Sequence, residues 1–213
     1  MGAKIFGAGA VVYLSHIVPE SFAEKLRHHS AEIYCSGDNY EASMSAAAQA
    51  AKDEDWVLLS DSSWPGYTEL PHRLMEGYLV MASEIVSQMG SLVPTHIFLQ
   101  AGVGGLAGAC AAYFRSIWLD GPQIVIVEPD KAAALYTAIE KGKVIGATGS
   151  VSSLGRLDCK EASRIALNGL ARDADFFTLV HDEEVEGIMP VLTELGLSTT
   201  PSGGAGITAA ILG

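Results

Sequence analysis

Cysteine is scarce in this 213-residue chain. Cys35, Cys110 and Cys159 stand far apart with no Cys-x-x-Cys pair. That spacing argues against a disulfide framework and for a reducing, cytoplasmic setting. Basic residues are also few. Lys and Arg total 13 against 25 Asp and Glu, a net charge of −12. This disfavours nucleic acid and anionic membrane as partners. A phosphate ligand stays allowed, because a glycine loop binds phosphate through backbone dipoles. No apolar run approaches a membrane span, and the N-terminus lacks the charged start and apolar block of a signal peptide. No Gly-Lys-Ser/Thr and no complete dinucleotide spacing is present. A hydrolase triad has no Gly-x-Ser-x-Gly anchor. His28-His29 has no second ligand pair at metal spacing, so no metal is expected. Repeats and low-complexity tracts are missing too.

What is present is a globular composition, 49% apolar and 18% charged, enough for a sizeable core. The first sixty residues read as βαβαβ: strands at Ala10–Leu14, Ala31–Cys35 and Trp56–Leu59, with helices at about Glu20–His29 and Tyr40–Lys52. The pattern breaks at Asp61-Ser62-Ser63-Trp64-Pro65-Gly66-Tyr67. A long helix follows over Pro71–Met89, with Leu74, Tyr78, Met81 and Ile85 on one face. The chain then alternates again: strand Thr95–Gln100, helix Gly105–Leu119, strand Gln123–Val127, helix Lys131–Lys141. Residues 142–159 read as irregular. Helix Glu161–Arg172, strand Asp175–Val180 and helix Asp182–Leu195 come next, and a strand-turn-helix closes the chain through Ser198–Leu212. The class is α/β, with a soft domain boundary near residue 70: a small unit over 1–70 and a larger one over 71–213.

Three loops after strands carry the chemistry. In Leu99-Gln100-Ala101-Gly102-Val103-Gly104-Gly105-Leu106, glycines between a strand and a helix let backbone N–H groups converge on an anion. A glycine-rich turn that only packs a helix on a sheet is the alternative. In Pro201-Ser202-Gly203-Gly204, the Ser202 hydroxyl either meets a ring nitrogen or caps the following helix, and the cap is the better expectation. In the third loop, Asp61 beside Trp64 and Tyr67 is either an acid/base carboxylate or a turn aspartate. Other features read as structural: His28-His29 at a helix end, His96 at a strand start, Cys110 in the core, and Asp182-Glu183-Glu184 as an acidic first turn.

Gln100–Gly105, Ile126-Val127-Glu128-Pro129 and Pro201-Ser202-Gly203 occur in an order that resembles fold-type II pyridoxal-phosphate enzymes, the threonine dehydratase relatives. Asp61–Tyr67, Val127–Ala132 and Gly155-Arg156-Leu157-Asp158-Cys159 resemble the diaminopropionate ammonia-lyase type among them. The resemblance implies two open parallel-sheet α/β units of the tryptophan synthase β-like kind, a small amino-acid substrate and a homodimer. It implies pyridoxal 5′-phosphate held by Gly102, Val103, Gly104, Gly105 and Leu106, with Ser202 facing the pyridine nitrogen. Glu128 and Gly155 would line the same pocket, and Asp61 would act as acid or base near the substrate. The implied reaction is α,β-elimination of 2,3-diaminopropionate to pyruvate and ammonia. One alternative keeps the cofactor and takes threonine or serine. Another is a non-catalytic chain, because the family's Schiff-base lysine and its Asp-Gly-Asn-His-Gly stretch have no match here. On that comparison the chain reads as truncated at both ends.

Overall fold

The structure is a computed structural model and describes residues 2–213. Met1, the first residue of the small unit expected over 1–70, lies outside them. Two compact units divide between Leu59 and Ser60, ahead of the boundary expected near residue 70. The reason is local. Ser63, just past the division, is hydrogen-bonded into the larger unit by both its backbone and its hydroxyl.

The smaller unit contains α1 (Gly2–Ile5), β1 (Ala10–Leu14), α2 (Glu20–His28), β2 (Ala31–Cys35) and α3 (Tyr40–Asp53). β1 and β2 pair in parallel, Ala10 opposite Ala31 and Leu14 opposite Cys35. Asn39 starts α3 by accepting the Ala42 N–H on Oδ1 at 2.8 Å, the usual solution for an unsatisfied first-turn amide. The third strand expected over Trp56–Leu59 does not form. Val57 is 79% exposed and Leu59 67%, so the segment lacks the burial that makes an apolar run a strand.

The larger unit contains α4 (Glu69–Met89), β3 (His96–Gln100), α5 (Gly105–Trp118), β4 (Gln123–Pro129), α6 (Ala134–Lys141), α7 (Arg164–Asp173), β5 (Phe176–Val180), α8 (Asp182–Glu194) and α9 (Pro201–Leu212). Its sheet is parallel, in the order β3-β4-β5. The middle strand reads Gln-Ile-Val-Ile-Val-Glu-Pro and is buried after its first residue, as a strand covered on both faces must be. Ile124 and Ile126 enter a core with Cys110, Phe114, Leu135 and Leu170, from α5, α6 and α7. Val125 and Val127 enter the opposite core with Val185, Ala205 and Ala209, from α8 and α9. Burying side chains of this size contributes about 1.5–3 kcal/mol each, so β4 anchors the unit.

Two local expectations change. The helix expected from Lys131 begins as one 3-10 turn, Asp130–Ala132, before α6. No strand precedes the last helix: α9 starts at Pro201, with Thr200 as its N-cap, so Ser202 lies inside the first turn. The cap role expected for Ser202 belongs to Thr200, whose Oγ1 accepts the Gly203 N–H at 3.3 Å.

Candidate active site

In open parallel α/β sheets, ligands bind beyond the carboxyl ends of the strands. A cavity of about 650 Å³ lies there in the larger unit, at the end of β3. Its walls are Gln100 to Ala107, Asp61, Tyr78, then Arg156, Leu157 and Cys159, and finally Thr199, Thr200, Ser202 and Gly203.

The floor is the start of α5. Gly104 is its N-cap in the left-handed region, φ +96°, and no side chain caps the helix. The first intrahelical bond runs from Gly108 N–H to Gly104 O at 2.8 Å. The amides of Gly105, Leu106 and Ala107 therefore have no acceptor within the helix, and all three residues face the cavity. A Cβ on Gly104 would stand 3.0 Å from Leu135 Cδ1 and 3.1 Å from Ala166 Cβ. One on Gly102 would stand 3.1 Å from both Arg156 O and Cys159 Sγ. The loop is also tied down: Ala101 N–H bonds Val127 O at 2.9 Å, and Val103 O accepts Ser163 N–H at 2.9 Å.

Asp61 reaches the cavity from a closed loop. Trp64 and Tyr67 exchange backbone hydrogen bonds of 3.2 and 3.0 Å and stack their rings 4.3 Å apart. Tyr67 Oη accepts the Ser60 N–H at 3.0 Å. Both rings brace the loop and neither lines the cavity. Tyr78 does line it, although its helical spacing reads as plain core. Burial, and then the nearby Asp61 charge, push its phenol above the ordinary tyrosine range.

Ser202 is buried, with 7% of its surface exposed. Its Oγ accepts the Arg156 N–H at 3.2 Å, so its own O–H remains free to donate. Glu128 lies elsewhere. It is 1% exposed, and its two carboxylate oxygens accept the Leu135 and Tyr136 N–H groups at 2.8 and 2.7 Å, at the start of α6. Burial pushes it up to about 7, against the opposing pull of those amides. Gly155 sits beside the wall residues Arg156 and Leu157 without lining the cavity itself. Among the described residues that line it, Arg156 is the sole basic side chain and none is lysine.

The family model described as "Pyridoxal-phosphate dependent enzyme" matches residues 1–212. The chain belongs to that family. It is 36% identical over 171 residues to the diaminopropionate ammonia-lyase of Salmonella typhimurium, covering 77% of this chain and 42% of the relative. Among solved structures it resembles Escherichia coli diaminopropionate ammonia-lyase in complex with an aminoacrylate–PLP azomethine reaction intermediate. There the TM-score is 0.89 at 28% identity, over 97% of this chain and 55% of the other. Maize serine racemase, at 20% identity and TM-score 0.84 over 98% of this chain and 60% of the other, shares the fold. The chain thus spans about half the length of the relatives it matches.

The residues present fit the family's cofactor, pyridoxal phosphate, at two of its ends. An uncapped helix N-terminus behind glycines that leave no room for a Cβ suits the phosphate. A buried hydroxyl with a free proton suits an unprotonated ring nitrogen. Among the described residues, the cavity lining supplies no lysine amine for the carbonyl end. Also among the described residues, no group of acidic, histidine and cysteine side chains could hold a metal, and no helix is long and apolar enough to cross a membrane.

Proposed function

We propose that the chain carries the cofactor-binding half of a pyridoxal-phosphate-dependent ammonia-lyase that acts on 2,3-diaminopropionate. The carrying observation is that one cavity gathers the uncapped start of α5, the buried Ser202 hydroxyl and the Asp61 carboxylate. When bound, the cofactor supplies an electron sink for the pair of electrons left at the substrate Cα.

The chain's own groups do the rest. The amides of Gly102 to Leu106 would hold the phosphate at the start of α5. Ser202 would face the ring nitrogen as a neutral donor, which suits elimination over transamination. Asp61 takes or gives a proton at the substrate, at Cα or at the departing amine. Tyr78 stands beside Asp61 on that wall. Glu128 acts away from the substrate, satisfying the first amides of α6 and fixing the end of β4.

The substrate is argued from the 36% identity to a diaminopropionate ammonia-lyase and from the Asp61–Tyr67 loop. The test is ammonia release by the chain with pyridoxal phosphate and, in parallel, equal concentrations of 2,3-diaminopropionate, serine and threonine. The largest release is expected from 2,3-diaminopropionate. A larger release from serine or threonine overturns the substrate, and release from none overturns the activity.

A further inference from the structure

The segment over 142–163 has no helix or strand, yet it brings Arg156, Leu157 and Cys159 to the cavity. Its shape comes from side chains. The Lys160 ammonium donates to Lys131 O at 2.8 Å, Ser150 O at 3.0 Å and Asp158 Oδ1 at 2.5 Å. Lys131 lies ahead of the segment and Ser150 and Asp158 within it, and one cation gathers all three. Asp182 makes a second tie: it is buried and accepts from Lys131 Nζ, Ser152 Oγ and the Ser153 N–H at 2.9, 2.6 and 2.8 Å.

Between these ties the backbone turns tightly, with Leu157 N–H on Leu154 O at 2.7 Å and Cys159 N–H on Leu157 O at 2.8 Å. The turn aims the Arg156 N–H at Ser202 Oγ. That bond decides what Ser202 offers. With one lone pair occupied by an amide donor, the hydroxyl proton is turned away from Arg156, and because Ser202 lines the cavity a ligand acceptor there can take it.

We propose that Lys160 is a positioning residue: by tying the Ser150 carbonyl and Asp158 carboxylate of the irregular segment to the Lys131 carbonyl outside it, its ammonium holds the Arg156 amide on Ser202 and so fixes Ser202 as a hydrogen-bond donor to the ligand. This rests on the reading of the cavity as a pyridoxal-phosphate site. Without the ammonium, two carbonyls and a carboxylate face one another with no donor between them, and the segment relaxes apart.

The test compares the full 213-residue chain with Lys160→Ala. The probe is pyridoxine 5′-phosphate, whose alcohol in place of the aldehyde needs no lysine. Readouts are hydrogen exchange of the Arg156 amide without ligand, and the affinity and near-ultraviolet absorption of the bound probe, which reports ring-nitrogen protonation. In Lys160→Ala, exchange at Arg156 rises and the probe binds about tenfold more weakly, the worth of one hydrogen bond. Methylammonium, which fits the vacated oxygens and carries N–H donors, restores both. Tetramethylammonium, with no N–H, restores neither. Should Lys160→Ala not fold, Asp158→Ala removes one of the three contacts and shifts the same readouts in the same direction. Wild-type exchange and spectrum in a folded variant overturn the proposal alone. No probe binding by the wild-type chain overturns the cofactor reading and the proposal with it.

Discussion

The hydroxyls of Ser63 and Ser163 lie 2.8 Å apart in the interior of the larger unit. Ser163 Oγ also accepts the Ser63 N–H at 3.1 Å, and Ser63 Oγ accepts the Ile165 N–H at 2.8 Å. The Ser163 N–H bonds Val103 O in the glycine loop. One small residue thus joins the Asp61 loop to the loop that would hold the phosphate. Ser163 is also the N-cap of α7, so the helix begins at Arg164 and not at Glu161.

Ser163→Ala leaves the Ser63 amide without its acceptor in a buried place. The expected cost is about 1–3 kcal/mol of stability, seen as a lower urea midpoint with an unchanged slope. A variant with the wild-type midpoint would show that the junction is idle.

Gly104→Ala forces a side chain into the left-handed region and against Leu135 and Ala166. The combined strain is about 1–3 kcal/mol. More tellingly, phosphate affinity should fall further than stability does, because the helix start that faces the cavity is displaced. Titration with inorganic phosphate, paired with a thermal melt, separates the two effects.

Glu128 gives the stability a pH dependence of unusual sign for a carboxylate. Its folded value is raised from 4.5 to about 7, so the folded chain binds this proton more tightly than the unfolded chain. Stability from this group is full below 4.5 and is lost as pH rises through 7, a span of about 3 kcal/mol. Asp182 has the opposite sign. Burial pushes it up, but Ser152, the Ser153 N–H and Lys131 outweigh that and hold it below 3.8, so its contribution is lost on strong acidification. Urea midpoints from pH 5 to 8 should fall in the wild type and stay flatter in Glu128→Gln.

Asp61→Asn keeps the shape of its loop, which is closed by Trp64 and Tyr67, and removes a proton carrier. Binding of pyridoxal phosphate should change less than about threefold, while ammonia release falls at least about a hundredfold, the usual scale of a lost acid/base group. Equal losses in both would make Asp61 a binding residue.

The strongest local signals are legible in the sequence. The glycine loop between an apolar strand and a small-residue helix is found at Gly102–Gly105, and the unbroken apolar run of β4 is the doubly covered middle strand. Cys110 is in the core, where burial pushes its thiol up to about 11. The features that mislead are those whose meaning depends on neighbours. Trp56–Leu59 has strand composition, but composition does not supply a face to pack on. Thr200 and Ser202 both suit a helix cap, and only the position of Pro201 in the first turn decides between them. Tyr78 sits at core spacing on α4, and one side of that core is a cavity. Lys160 lies in a segment with no periodicity, and its three oxygen contacts depend on how that segment folds, so no pattern announces it.

Everything proposed for the site depends on the start of α5 holding the phosphate of the family's cofactor. Parallel equilibrium titrations of the chain with pyridoxal 5′-phosphate and with pyridoxal test this most directly. The phosphorylated form is predicted to bind at least about a hundredfold more tightly, from several charge-assisted backbone hydrogen bonds. Equal affinity for the two forms would contradict it.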